Sequence, residues 1–491
     1  MRKLIKATSL LTFVSIGEMI FRFVRTKAIA IFLGVSGTGF LAQLANFFEI
    51  LRMAGSMGTR RAVIKQIAEN KEGVGSPRYR DIIYNSFFLV VSTSCFLSLL
   101  MTLFSRNIAE ALYGNSDPYL YVIAVGWILP VASAATLISS ILKANLEYAS
   151  FAKYTLGSYV LTICLSPLFI YLWGYAGAVV IQGLFFAMPL LAYLVLNSRK
   201  QFLFFSNRVH WPLMKEQFLD GFNFVYGETL TMLVRLVVAT WITKELGLGQ
   251  MGIYQVVVTF STVYLTIPVQ SVSGYTLPAI AAATTPAEIS KAVNDTIRFL
   301  LFLLMPVIAC LMAWPELFID ILYSPEFFPA VPLLRIQLPG VFVGLLLHAL
   351  GSVLVAKGRL KSLYFVSTFS AVFKFVFALI LFRVWRLTGV AVAYAATPIA
   401  VCVPLYFIVR RHFALTVESK NKKLIIFSLL WMLLAWGLGT FLTGVHWKLI
   451  AIGAGAIWFR TCSTMTERKV ILEKMKSVFA KFTLKREFRS P

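Results

Sequence analysis

Glu18, Arg22 and Arg25 fall at i, i+4 and i+7, so a helix through them carries all three on one face. Glu49 and Arg52 share a face at i and i+3, and Glu228 and Arg235 share one at i and i+7. Lys374 adds a cation near the centre of a further apolar stretch. A guanidinium is a planar fork of donors that matches phosphate oxygens, so arginines gathered this way suit a phosphate-bearing ligand. The carboxylates admit two roles. They can neutralise neighbouring arginines, as in a Glu18–Arg22 bridge, or Glu18, Glu49 and Glu228 can couple to an ion by exchanging a proton or helping to bind sodium. Bridges alone do not balance the set, because three carboxylates face five cations: Arg22, Arg25, Arg52, Arg235 and Lys374. An unpaired buried charge is strongly penalised, so the surplus calls for a water-filled cavity or an anionic ligand.

The elements that must position these residues are apolar. The 491-residue chain is 59% hydrophobic and 14% charged, with a mean hydropathy of +0.79. A soluble domain is roughly 45–50% apolar and about 25% charged. Apolar runs of about 20 residues, each able to cross the bilayer as a helix, recur along the chain without the period-2 alternation of a barrel. The pattern predicts an all-α polytopic membrane bundle of about fourteen spans, at 7–33, 38–58, 81–104, 118–142, 152–173, 175–198, 214–242, 250–283, 288–313, 329–356, 360–382, 387–409, 424–443 and 446–460.

The net charge of +25 does not point to nucleic acid. With the N-terminus inside, the inner segments and the span ends bordering them carry 34 of the 46 lysines and arginines, and the outer loops carry five. That bias follows the positive-inside rule and places both termini in the cytoplasm. Met1-Arg-Lys-Leu-Ile-Lys6 and Ala28-Ile-Ala30 mimic a signal peptide, but Glu18, Arg22 and Arg25 interrupt it, so it reads as a retained first helix. Lys27 points away from the arginine face, toward the outer surface. The five cysteines are scattered and unpaired, which predicts no metal site, and no cofactor signature stands out.

Arg22 and Arg235 are related by an offset of 213, which also superposes Leu33-Gly34 on Leu246-Gly247 and Gly39 on Gly252. Leu112-Tyr113 matches Leu322-Tyr323 at 210, and Gly177-Ala178 matches Gly389-Val390 at 212. The expected organisation is a six-helix lobe at 1–198, a cytoplasmic linker at 199–213, a parallel six-helix lobe at 214–411, two additional spans within 412–460 and a basic tail at 461–491. Halves with an even number of spans lie parallel, and substrate sites form where such halves meet. In the tail, Ile471, Met475, Val478 and Phe482 form an apolar stripe suited to the anionic inner leaflet. Thr285-Pro-Ala-Glu288 reads as a capping box opening the ninth span, and eight prolines inside spans are candidate kinks.

Catalytic motifs are missing from the sequence: there is no H-E-x-x-H, G-x-S-x-G or phosphate loop, and no outer loop is long enough for a sizeable domain. Glu316, Asp320 and Glu326 in the largest outer loop lack an evident metal or electrophile partner, and only His348 of the four histidines is deep. The chain therefore reads as a non-enzyme.

Leu33-Gly34, Gly39-Phe-Leu-Ala-Gln43 and Gly55-Ser-Met-Gly58, followed by a basic segment, resemble the Wzx-type flippases of lipid-linked oligosaccharides such as O-antigen. Gly252-Ile-Tyr-Gln255, Leu277-Pro278 and Ala356-Lys357 extend that resemblance over roughly residues 5–415. It implies the multidrug/oligosaccharidyl-lipid/polysaccharide exporter superfamily, with two six-helix lobes, alternating access and transfer of an undecaprenyl-pyrophosphate-linked oligosaccharide to the outer leaflet. It also implies residence in a bacterial inner membrane, contact with membrane lipids and a link to polysaccharide polymerase machinery. The related lipid II flippases line their cavities with arginines on the first, second and eighth helices; Arg22, Arg25 and Arg52 match that theme on the first two, whereas Arg235 is on the seventh. The last two spans exceed the twelve of Wzx proteins and resemble the fourteen of lipid II flippases. A multidrug exporter of the same superfamily is the alternative, disfavoured by the cationic surplus, and a membrane glycosyltransferase or polymerase lacks the catalytic acids it would need.

Overall fold

The computed structural model describes residues 2–491 apart from 57, 71, 197–208, 443, 466 and 469–491. The apolar stripe expected in the tail lies outside these residues, as does most of the linker at 199–213. Among the described residues there is no strand. The chain forms α1 (Arg2–Ser56), α2 (Thr59–Glu69), α3 (Pro77–Leu103), α4 (Ser105–Tyr113), α5 (Tyr119–Ala144), α6 (Tyr148–Leu196) and α7 (Trp211–Val258). A π-helical turn, Thr259–Tyr264, leads into α8 (Leu265–Ala282), followed by α9 (Pro286–Ala313), α10 (Pro315–Leu322), α11 (Ala330–Ala356), α12 (Leu360–Phe413), α13 (Ser419–Phe441) and α14 (Val445–Cys462). The chain is an all-α, multi-pass membrane protein, with nine helical runs among the described residues long and apolar enough to cross a bilayer.

Four of those runs hold two spans each. A straight helix of the length of α1, 55 residues, would be about 80 Å long, far beyond a bilayer. α1 breaks at Gly34 (φ 64°), α6 at Gly174 (φ 54°), α7 at Gly247 (φ 84°) and α12 at Arg386 (φ 49°). Counting these breaks and the short α14 gives the fourteen spans expected. The prolines sit inside continuous helix, because neighbouring spans tolerate the lost hydrogen bond, while the breaks fall where the chain must turn left-handed. Arg386 is the exception, a non-glycine residue in that conformation.

The breaks recur at the repeat offset. Gly34 maps onto Gly247 with the same shift that maps Arg22 onto Arg235, and Gly174 maps onto Arg386 with the shift that maps Gly177 onto Gly389. The short helices α4 and α10, which the apolar pattern did not reveal, end at the matched Leu112-Tyr113 and Leu322-Tyr323. The two halves cross at another repeat pair. A Cβ on Gly39 would lie 2.0 Å from the Leu248 carbonyl oxygen, and one on Gly252 would lie 2.0 Å from that of Val35. Only glycine lets two helix backbones approach this closely.

One continuous core runs from α7 to α14, whereas the first half holds three smaller clusters. α13 and α14 belong to the larger core. Their indoles are fixed by Trp431 donating to the Ala451 carbonyl and Trp458 to Ser428 Oγ, at 2.8 and 3.0 Å. Asn421 donates to the Asn294 side chain at 2.8 Å, and Arg298 of α9 donates to Glu467 at 2.7 Å and to the Cys462 carbonyl at 2.8 Å. The capping box at α9 forms as read, with Thr285 Oγ accepting from the Glu288 amide at 3.3 Å.

Two outcomes follow from this packing. Gly252→Val forces the halves apart at the crossing, so a cysteine at Thr240, which accepts from Gln43 across the same seam at 2.6 Å, is labelled by maleimide several-fold faster than with Gly252 intact; equal labelling contradicts a rigid crossing. The Arg298 guanidinium holds the Glu467 carboxyl down to about 2. A depressed carboxylate stabilises the fold above its ordinary pKa, and that stability is lost as pH falls through the folded value. Thermal unfolding of the wild type in detergent therefore weakens between about pH 4.5 and 2, while Glu467→Gln gives a flatter profile over that window.

Candidate functional site

The breaks set a common ruler for depth. Arg22 precedes Gly34 by the same interval as Arg235 precedes Gly247 and Lys374 precedes Arg386. The interval is a little over three helical turns, so each cation is about 18 Å from its turn, close to the middle of the hydrocarbon. The fourth hairpin carries the neutral Thr162 at that level, hydrogen-bonded to its own helix at 2.8 Å.

In the first half, two local acid–base pairs form. Glu18 accepts from Arg22 at 2.7 Å and Glu49 accepts from Arg52 at 2.6 Å. Arg25 has no such partner among the described residues, and its Nε is buried without a hydrogen bond. Glu49 also lies within electrostatic reach of Arg22, so α1 presents both pairs and the lone Arg25 to one region. Arg60 and Lys143, which belong by sequence to the basic inner segments, come to this region in the fold. Lys143, in the last turn of α5, sits 4.2 Å from the Phe151 ring, with Arg60 and Glu18 within electrostatic reach. The signal available was its place at a helix C-terminus, where a cation is favoured and points back over the bundle.

In the second half, Arg235 and Lys374 lie within reach of each other's charge, with no carboxylate paired to either among the described residues. Lys374 Nζ stands 5.0 Å from the Tyr394 ring, which meets Tyr254 edge-on at 5.9 Å. Glu228 does not turn to Arg235. Its partner is Arg61 of α2, at 3.2 Å across the seam between halves. Sharing a helix face with Arg235 left its partner open, because a nearer cation from another element can take the carboxylate. The net surplus of two read from the sequence therefore becomes three cations without a carboxylate among the described residues: Arg25, Arg235 and Lys374.

These charges lie between two closures. At the basic end, Lys65 pairs with Asp220 at 2.8 Å beside the Arg61–Glu228 bridge, Gln217 donates to Gln66 and Ser86 at 2.9 and 2.8 Å, and Gly58 packs on the Gly221 backbone. At the opposite end are the Gly39–Gly252 crossing and Lys27, which donates to the Asp320 carbonyl at 2.7 Å and to that of Tyr323. Lys27 thus ties the first half to the end of α10. Remaining candidates are occupied elsewhere: Glu316 bridges Arg335 and Lys448 at 3.2 and 3.1 Å, and His348 bonds Ser273 at 2.8 Å in the core. Among the described residues no cluster of His, Cys, Asp and Glu could hold a metal. The deep residues offer donors to an anion and no reacting centre.

A family model described as a polysaccharide biosynthesis protein matches residues 28–332. The chain is 23% identical over 395 residues to the lipid III flippase of Escherichia coli, covering 79% of this chain and 94% of that protein. The lipid III flippase of Shigella flexneri matches equally. Among solved structures, the lipid II flippase MurJ in an inward closed conformation superposes with a TM-score of 0.73 at 16% identity, over 95% of this chain and 100% of that one. An inward-facing multidrug resistance MATE family transporter of the MOP superfamily gives 0.65 at 14% identity, over 82% and 94%. The fold is that of the MOP superfamily, and these relatives are flippases and transporters rather than enzymes. Coverage of 95% cannot be reached without at least part of α13 and α14, so the additional spans share in the likeness to MurJ.

The closure at the basic end is directly testable. With Lys65→Cys and Asp220→Cys, a short bifunctional maleimide is expected to join the halves in the resting protein. Cross-linked protein should then move substrate at least tenfold more slowly than its unlinked control. Failure to cross-link, or full transport after it, contradicts a closure that must open.

Proposed function

We propose, for a chain that belongs to the polysaccharide biosynthesis protein family, that it is a flippase moving an undecaprenyl-pyrophosphate-linked oligosaccharide from the inner to the outer leaflet of a bacterial inner membrane. The observation that carries this reading is the set of three deep cations without carboxylates, enclosed between closures at both ends. A pyrophosphate supplies the missing negative charge, and Arg22, Arg25 and Arg52 are assigned to hold it with bidentate hydrogen bonds. Arg235 and Lys374 add positive potential from the other half. The sugars occupy the aqueous space between the halves, and the polyprenyl tail stays in lipid. With both termini in the cytoplasm, delivery is to the outer leaflet, where polysaccharide polymerase machinery would take the product.

Alternating access requires each closure to be weaker with one form of the protein than with the other. The exposed Arg61–Glu228 and Lys65–Asp220 pairs are each worth about 0–1 kcal/mol, so ligand binding can tip them. Glu228 is the carboxylate released when the basic end opens, and Glu18 and Glu49 change surroundings if a pyrophosphate displaces them from Arg22 and Arg52. Each is assigned as a candidate for proton or sodium coupling. Export of organic cations is disfavoured by the same positive surplus.

In proteoliposomes, wild-type protein is expected to move a pyrophosphate-linked glycolipid between leaflets. Arg22→Ala and Arg25→Ala should each lower the rate at least tenfold, and Arg235→Ala by less. Full rates in all three variants sink the assigned site, and bond formation or cleavage in the glycolipid sinks the flippase reading.

A further inference from the structure

Arg235 and Lys374 add potential for the proposed lipid substrate, but their buried surroundings within the second half have features that this role leaves unexplained. Each precedes its own helix break by the same interval, on α7 and α12, so two cations from different helices meet at one depth. Beyond the same breaks, Tyr254 and Tyr394 each lie roughly two helical turns on, past Gly247 and Arg386 respectively. The returning arms thus bring two phenols to the two cations. Tyr254 is 1% exposed, and its hydroxyl and that of Tyr394 lie near each other and near Gln337, buried with no hydrogen bond of good geometry between them. A buried hydroxyl whose hydrogen bonding is poor is penalised, and here two such hydroxyls lie beside a like-charged pair.

The carboxylates that could have answered these charges are engaged elsewhere. Glu228 faces Arg61 at 3.2 Å, and Glu245 faces Arg386 at 4.0 Å. The ring of Tyr394 beneath Lys374 softens one charge through its π face, at 5.0 Å, but accepts no proton. Gln337, held at 2.8 Å by Ser261 in the π-helical turn, borders Tyr254. A π-turn in an otherwise regular helix commonly marks a functional site.

We propose that Arg235, Lys374, Tyr254 and Tyr394 form a second anion site, inside the second half and separate from Arg22, Arg25 and Arg52, that holds a small inorganic anion such as chloride or phosphate. Ammonium, guanidinium and two phenols are a set of donors with no carboxylate among them, which suits an anion and repels a cation. The anion would accept from both hydroxyls in better geometry than they offer each other and screen the two charges at once. It is small because Tyr254 is sealed within the half, where a headgroup carrying sugars and a polyprenyl chain cannot enter. Bound there, it also changes the charge that the second half presents to the cavity, which links anion occupancy to the grip on a pyrophosphate.

The test uses the full-length protein in detergent, in sodium gluconate, without any lipid substrate, so its outcome is independent of the flippase reading. Chloride, bromide and inorganic phosphate are titrated, with thermal unfolding and calorimetric binding as readouts. Wild type should be stabilised saturably by at least one of these anions, and Arg25→Gln should keep that response. Lys374→Met should lose it and, in gluconate, unfold at or above the wild-type temperature, because neutralisation removes the repulsion. Tyr394→Phe keeps both charges and the ring but removes one donor, and should weaken anion affinity about tenfold. The proposal is overturned by an unresponsive wild type, by an anion response that survives in Lys374→Met, or by loss of the response in Arg25→Gln, which would place the anion in the other cluster. A Lys374→Met protein less stable than wild type in gluconate would mean a structural lysine and overturn it equally. If Lys374→Met fails to fold, unchanged affinity in Tyr394→Phe decides against the site.

Discussion

Three cations held at one depth in the hydrocarbon are the constraint around which this bundle is organised. A lone charge at mid-bilayer costs roughly 2.5–3.5 kcal/mol by insertion and more by simulation. Arg22, Arg235 and Lys374 each stand at the same interval before a helix break, so the hairpin lengths fix them on a common plane. Glu18 neutralises the first of these. The others, with Arg25, have no carboxylate partner among the described residues, which leaves them to water or to an anion.

The two closures between the halves differ in chemistry. The glycine crossing of Gly39 and Gly252 brings backbones together over repeat-related positions, and a single added methyl group would block it. The basic end is held by two exposed ion pairs and a glutamine ladder. Ion pairs at that exposure are weak and screened by salt, whereas close backbone packing has one geometry or none. Opening at the basic end is therefore the smaller energetic step from this state, and opening at the glycine crossing the larger. α13 and α14 are tied to α9 through Arg298 and Asn294 and to each other through the two indoles, so they are part of the second half's core.

Much of this was legible in the chain because it is local. Apolar length gave the spans, Thr285 and Glu288 gave the start of α9, and the repeat offset located glycines that the fold uses for turning and crossing. The partners of charged residues were not legible. Their spacing puts Glu228 and Arg235 on one face, but it carries no information about α2, whose Arg61 takes the carboxylate. Lys143 and Arg60 read as connector charges because their approach to Glu18 and Arg52 depends on how α5 and α2 pack. The breaks at Gly34, Gly174, Gly247 and Arg386 passed over every proline, since turning the chain needs a left-handed residue rather than a missing donor.

On the proposed reading the deep cations recognise a pyrophosphate rather than being answered only by Glu18, Glu49 and water. The most direct measurement is the affinity of the purified protein, by native mass spectrometry, for undecaprenyl pyrophosphate, undecaprenyl phosphate and undecaprenol in competition. The expected order is pyrophosphate over phosphate over alcohol, with at least tenfold between the first and the last, and with that preference lost in Arg25→Gln. Equal affinity for all three headgroups, or an unchanged preference in Arg25→Gln, would contradict it.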